Sequence, residues 1–410
     1  MTAPSRRQFV GTLGAALLAP RPGRSAGGPH GFRIRTITAG ARLRSASDLK
    51  PVESAIVFLG RARKAFEDAG YEIQTVRLAT QPLAAPGDRV LADLQALDRL
   101  AGEGRVVVSV GPLVHHERSD AEFPAWAAEL VRTTSAISCS VTVASPGRGI
   151  HYRATLAAAA AMAAIARATP GGEGNFRFAA AANCPAGTPF FPVAYHEGED
   201  AFAVGLESAP LVASAFADAS FTTEARARLR GILEAKLRAV QAIAVATARR
   251  EGRRYLGIDA SPAPGKDASI GAAIETLTHA PFGDASTLEA CATVTDVLKS
   301  LTVRTCGYSG LMLPVLEDPV LARRAAERRF SVKELLLYSS VCGTGLDVVP
   351  LPGETPVGVL AALIRDTAAL AVKLRKPLSA RLFPIPGKAV GEAIHFTNPY
   401  LTDSVVMAIQ

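Results

Sequence analysis

Aromatic residues are scarce in this sequence, at 6 % with a single tryptophan, while alanine is abundant. That balance points away from an aromatic-rich binding surface and toward close-packed helices on a sheet. No Cys-x-x-Cys spacing occurs, so neither a zinc knuckle nor a thioredoxin-type motif is present. Cys139, Cys184, Cys291, Cys306 and Cys342 make an odd set, which leaves at least one thiol free or paired outside the chain and permits a disulfide in an oxidising compartment. The basic clusters Arg249-Arg250 with Arg253-Arg254, and Arg323-Arg324 with Arg328-Arg329, have no stacking aromatics between them. They read as solvated helix ends, and nucleic acid is excluded as a partner. Two familiar motifs are incomplete. Ser145-Pro146-Gly147-Arg148-Gly149 lacks the third glycine of a dinucleotide fingerprint, and Gly307-Tyr308-Ser309-Gly310-Leu311 lacks the last glycine of a nucleophile elbow. There is no internal repeat, low-complexity linker or second-domain boundary.

What is there begins with a leader. Half of the formal net charge of +8 comes from Arg6, Arg7, Arg21 and Arg24, in a 28-residue stretch without an acid. Arg6-Arg7 precedes the apolar run Val10–Ala19, which is shorter than the roughly 20 residues needed to span a bilayer. Pro20, Pro22 and Gly23 then break it. Residues 1–28 therefore read as a twin-arginine export signal, with a cleavage point near Ser25-Ala26, the export machinery as a partner, a periplasmic or exported location, and no membrane association once the signal is removed. Residues 29–410 follow as one large domain, and 49 % hydrophobic residues suffice for a sizeable core.

Strand and helix patterns alternate. Phe32–Thr38, Tyr71–Leu78, Val106–Val110, Ile137–Val143 and Phe176–Ala182 read as strands, with helices between them near 48–70, 91–101, 121–131 and 155–168. In the second half, Ala201–Glu207, Tyr255–Ile258, Leu378–Phe383 and Glu392–Phe396 read as strands. The longest helix starts at Thr222 or Thr223 and reaches about Arg250, and others start at Asp267, Thr287 and Thr355. The pattern predicts an α/β fold: a barrel-like parallel sheet surrounded by helices, with strand ends and the loops after them free for chemistry.

The stretch Ser339–Pro350 organises the candidate site. An apolar helix, Val332–Ser339, feeds a Cys-Gly-Thr-Gly turn, so a thiol, two glycines, a hydroxyl and Asp347 fall within six residues. Cys342 beside Gly343 and Gly345 is a candidate nucleophile whose thiolate and oxyanion would meet backbone N–H groups. Cys139, between Ser138 and Ser140, is a second. His196 in Tyr195-His196-Glu197-Gly198-Glu199-Asp200 is a candidate general acid/base oriented by Glu199 or Asp200. Asp259 and Ser261 stand at a strand end, and Asp259, Asp347 or Glu199 is the candidate orienting carboxylate of the catalytic set. Arg148 and Arg381 are candidate holders of an acidic substrate, with Asn183, Ser261, Ser309, Gly343 and Gly345 as further substrate-binding positions. His196 with Asp259 or Glu199 is an alternative metal reading. Adjacent His115 and His116 diverge and read as surface. No metal site is assigned, and the cofactor is left open: the twin-arginine route carries folded proteins and so permits one without requiring it.

Taken in order, several motifs resemble those of one family: Ile34–Thr38, Ser138–Val141, Asn183, Ala194–Glu199, Asp259–Pro264, Gly307–Gly310, Pro314 with Glu317-Asp318, Cys342–Asp347, and Ala380–Pro384 with Pro386–Lys388. That family is the domain of unknown function 711, a bacterial and archaeal group, and the resemblance spans roughly Phe32 to Ile409. It implies an α/β barrel similar to pyruvate formate-lyase, with a cysteine-bearing loop inside, and implies no assigned activity. Arg304-Thr305-Cys306-Gly307-Tyr308 is similar to the Arg-Val-x-Gly-Tyr motif of glycyl-radical enzymes. That motif lies near the C-terminus, however, whereas here about a hundred residues follow, and an exported protein would meet oxygen. The expectation is an exported cysteine/histidine-dependent hydrolase or lyase acting on a small polar or acidic molecule, and not a glycyl-radical enzyme. The alternative is a periplasmic small-molecule-binding protein without catalysis.

Overall fold

The computed structural model describes residues 28–83, 87–114, 121–217, 219 and 221–410. Nearly all of the leader, and the His115-His116-Glu117 group, lie outside the described residues.

A large, mostly parallel sheet forms the centre. Its strands are β1 (Arg33–Ala41), β2 (Ile73–Thr80), β3 (Val107–Val114), β4 (Ile137–Ser145), β5 (Gly149–Ile150), β6 (Phe178–Ala182), β7 (Ala201–Glu207), β8 (Arg254–Asp259), β9 (Gly345–Pro352) and β10 (Leu378–Ile385). They follow the order β8-β7-β1-β2-β3-β4-β6-β10-β9, with β5 hairpinned onto β4. β1, β2, β3, β4 and β6 are mutually parallel. β7 with β8, and β9 with β10, are also parallel pairs. The five-stranded group meets the two pairs antiparallel, at β1/β7 and at β6/β10. Those two reversals are what the sequence pattern did not reveal: alternation of strand and helix says nothing of which way a later group is laid down.

Between β8 and β9, regular ladders give way to single bridges. Ile258 bridges Thr305, and Pro314 bridges Asp347. The segment 304–315 thus touches both strands, donating from Cys306 N–H to the Ile258 carbonyl and from Val315 N–H to that of Asp347.

The helices cover the sheet's apolar side. Along each strand, alternate residues face opposite ways. Leu78, Val108, Ile137, Cys139, Leu346 and Leu382 join one continuous hydrophobic core with helices such as Lys50–Asp68, Phe123–Thr133 and Val357–Leu374. The opposite positions, Arg77, Ser138, Ser379 and Arg381, line an interior cavity. Several element ends differ from expectation. The first long helix is capped by Leu49 and not by Asp48, whose carboxylate accepts instead from Arg44. Val332–Ser339, by contrast, is helical over the expected bounds, its start fixed by the Ser331 capping box. Only Ala393–Ile394 of the last expected strand is extended, paired with Ser404–Val405.

Candidate functional site

The polar face of the sheet encloses a cavity of about 820 Å³, the open space at its mouth included. Arg35, Arg77, Arg177 and Arg381 line it against the carboxylates Glu317 and Asp347, with Phe190, Phe191, Val193 and Met312 as apolar wall.

The charged groups form a chain. Arg35 donates to Glu207 at 2.9 Å and to Glu317 at 2.8 Å. Arg381 donates to the other Glu317 oxygen at 2.7 Å and from Nε to Asp347 at 2.5 Å. Two aromatic rings cover the pair. Tyr400 lies 5.3 Å from the Arg35 guanidinium, and Phe176 lies 5.3 Å from that of Arg381. Burial alone would raise Glu317, but Arg381 and Arg35 outweigh it and hold this carboxyl below its usual range. Asp347 has one guanidinium and the like charge of Glu317 nearby. Burial dominates there and pushes it up. The cavity therefore holds one firmly ionised carboxylate and one with raised proton affinity.

Arg77 differs from its neighbours. Its Nε donates to Thr75 at 3.0 Å, and its guanidinium lies 5.0 Å from the Phe191 ring centroid. Among the described residues no carboxylate comes within 4 Å of it, and its two terminal nitrogens have no hydrogen-bond partner. Burial, aided by the positive charges of Arg35 and Arg381, pushes its pKa down to about 9, so the group is charged at neutral pH but under-compensated.

The sequence-derived candidates divide sharply. Asp347 and Arg381 reach the cavity. Cys342 and Cys139 are fully buried in the apolar layer behind the sheet. Cys139 sits there because the twofold period of β4 sends Ser138 inward and its neighbour outward, and burial raises its thiol to about 12. His196 is 2 % exposed and is not part of the cavity wall; its ring fills the space left by Gly40, where a Cβ would lie 2.1 Å from Nδ1. Burial lowers its pKa. Glu199 is exposed on the loop beyond, and Asp200 pairs with Arg253 at 3.0 Å. Arg148 sits exposed in the tight turn between β4 and β5, away from the cavity.

Asp259, Ser261 and Ser309 hold a loop. The Asp259 carboxylate accepts from Ser261 Oγ at 2.6 Å and from the N–H groups of Tyr308 and Ser309, both at 2.8 Å. Ser309 has φ 40° and Gly307 φ 62°, so the turn is tight. The result places Tyr308 in the cavity wall, its hydroxyl 2.8 Å from Ser379 Oγ. Burial raises Asp259 despite these donors. Asn183, at φ 54°, donates to the Ala371 carbonyl at 2.9 Å and lies outside the lining. Gly345, at φ 90°, lets β9 approach the Ser379 carbonyl, where a Cβ would come within 2.4 Å. Gly343 faces the backbone of Gly310.

So none of Cys342, Cys139, His196 and Asp259 lines this cavity. The residues that do converge include Arg35, Arg77, Glu317 and Tyr308, to which sequence reasoning gave no role. One signal was available: Arg77 stands mid-strand, flanked by Val76 and Leu78, where an arginine needs an interior polar space. Among the described residues no group of three or more His, Cys, Asp or Glu side chains is placed to hold a metal.

Comparison with known proteins agrees with the motif order. The family described as "Uncharacterised ACR (DUF711)" matches residues 29–398. A "UPF0210 protein" of Pyrobaculum arsenaticum is 32 % identical over 368 residues, covering 85 % of this chain and 81 % of the relative. One of Desulforudis audaxviator is 30 % identical and covers 88 % of each. One of Oenococcus oeni is 27 % identical over 89 % of this chain and 88 % of its own.

Proposed function

The chain belongs to the DUF711 family, and from that premise we propose that it is an enzyme that binds a small organic anion in the arginine-lined cavity, with Asp347 as the group that takes and returns a proton. Arg77 carries the reading. Arg77 is half-buried, and its terminal nitrogens open into the cavity without a carboxylate partner, so its N–H fork is free to take a carboxylate or phosphate. The apolar wall of Phe190, Phe191, Val193 and Met312 suits the ligand's body. Asp347 supports the acid–base role because burial raises its proton affinity inside the same cavity. This replaces a thiol/imidazole mechanism, whose members lie behind the sheet or in its loops.

A second reading, a binding protein without turnover, draws support from the ion pairs that already engage Glu317 and Asp347 with Arg381. The test is a calorimetric screen of small carboxylates and phosphate esters against the wild type, Arg77→Met and Asp347→Asn. Binding lost in Arg77→Met, with turnover but not binding lost in Asp347→Asn, supports the enzyme. Binding unchanged in Arg77→Met overturns the site. Binding with no turnover of any bound compound leaves the binding-protein reading.

Two wider inferences go with this. The pyruvate-formate-lyase-like barrel is supported by the five-stranded parallel group flanked antiparallel by two parallel pairs, and by segment 304–315, which bridges β8 and β9. Export by the twin-arginine route to the periplasm is supported by Arg6-Arg7 ahead of Val10–Ala19. A fusion of residues 1–28 to a reporter active only after folded export checks the latter, and Arg6→Lys with Arg7→Lys should abolish its signal.

A further inference from the structure

We propose that the ligand is a dianion with its two negative groups at opposite ends of an apolar body, one on Arg77 and the other facing Arg177. This rests on the anion-site reading above and names the charge class of what that site takes.

The argument is a balance of charge within one cavity. Four arginines line it against the carboxylate-bearing Glu317 and Asp347. Arg35 and Arg381 are matched by Glu317 and Asp347. Glu207, which also accepts from Arg35, is held by Arg33 at 2.6 Å. Arg77 and Arg177 are left over. The Arg177 guanidinium is held at the wall by neutral acceptors: the Ile137 carbonyl at 2.8 Å, Thr134 Oγ1 at 3.1 Å and the Val131 carbonyl. Among the described residues no carboxylate lies within 4 Å of it. Asp98 acts on it only at longer range, with its oxygens accepting from the Ser135 and Ala136 N–H groups. Carbonyl dipoles fix its position without neutralising its charge.

Placement sets the spacing. Arg77 is on β2. Arg177 immediately precedes β6, and β3 and β4 lie between the two strands. Three strand spacings of about 4.8 Å separate the backbones by roughly 14 Å. The apolar wall of Phe190, Val193 and Met312 belongs to the same cavity. A single ring or short chain with a carboxylate at each end fits that arrangement.

The experiment uses the full chain and two isosteric probes, terephthalate and 4-carbamoylbenzoate, which differ only in the charge of one end, titrated by calorimetry at about pH 8. Phenyl phosphate, with both charges at one end, is the third probe. The expected result is terephthalate binding at least about tenfold tighter than 4-carbamoylbenzoate and tighter than phenyl phosphate. Arg177→Met should erase the preference for terephthalate, and Arg177→Lys should keep it. If Arg177→Met does not fold, the wild-type comparison still decides. Equal affinity for terephthalate and 4-carbamoylbenzoate overturns the dianion and leaves the anion site standing. Phenyl phosphate as the tightest probe overturns the two-ended arrangement. No binding of any probe removes the anion site itself.

Discussion

Gly343 and Gly310 meet backbone to backbone: a Cβ built on Gly343 would lie 2.3 Å from the Gly310 Cα, and one on Gly310 would lie 2.5 Å from the Gly343 Cα. The contact is tied by the Gly343 N–H, which donates to the Leu311 carbonyl at 2.8 Å. The Cys-Gly-Thr-Gly turn therefore has a packing reason that involves no thiol chemistry. It lets the turn before β9 lie against the loop that carries Tyr308. Gly343→Ala should cost about 1–3 kcal/mol or more, because neither backbone can give way. Gly231→Ala is the matched control. Gly231 sits in the helix Thr222–Glu251 with nothing within 4 Å of a Cβ, and alanine there should stabilise by up to about 1 kcal/mol. Urea unfolding of both variants checks the pair; equal midpoints would remove the packing explanation.

Glu317 is the keystone of the cavity's charge. It accepts from Arg35 at 2.8 Å and from Arg381 at 2.7 Å, and it is 7 % exposed. Glu317→Gln leaves two buried guanidinium groups short of an anion and should destabilise by about 3–5 kcal/mol. Asp347→Asn should cost less, because burial already favours the neutral form of that carboxyl. The order of the two midpoints in a denaturant titration is the readout. Asp347→Asn being the more damaging change would contradict the assigned protonation tendencies.

The strands were legible because apolar and polar residues alternate in them; Arg33-Ile34-Arg35 and Arg77-Leu78 show the two faces directly. Asp347 was legible as a site residue from the Cys-Gly-Thr-Gly stretch that it closes, and Arg381 as a charge inside an expected strand. Arg77 carries the same signature, and its role went unread because no motif surrounds it. Cys342, Cys139 and His196 drew attention by chemical type. Type does not reveal facing: one residue of register puts Ser138 in the cavity and Cys139 behind it. The meeting of Arg35, from β1, with Glu317, from the loop before the helix Pro319–Ala326, depends on the two antiparallel junctions. These join residues 282 positions apart, which no local pattern encodes.

The buried Cys139 and the half-buried Cys184 should be chemically quiet. Burial raises Cys139 and Cys184 to about 12, so thiolate is scarce near pH 7.5. Mass-spectrometric counting of iodoacetamide adducts on native protein should show both unmodified over an hour, with full labelling after unfolding in guanidinium. Rapid native alkylation of Cys342, which is also fully buried, would instead restore a thiol-based mechanism.

His196 should give the fold a measurable pH dependence. Burial lowers its pKa below the ordinary value of 6.5 in the folded chain, against smaller opposing effects of the Glu199 backbone and the Asp200 charge. Between the two values the unfolded chain binds more protons than the folded one, so stability is lost as pH falls through about 6.5 and is level above it. His196→Gln cannot take up the proton and should lack that slope, although it loses packing against Gly40 at every pH. Urea midpoints at about pH 8, 7, 6 and 5.5 separate the two effects: a constant offset reports packing, and an offset that shrinks as pH falls reports the titration. Parallel curves for the two proteins across this range would show that the buried imidazole keeps an unshifted pKa.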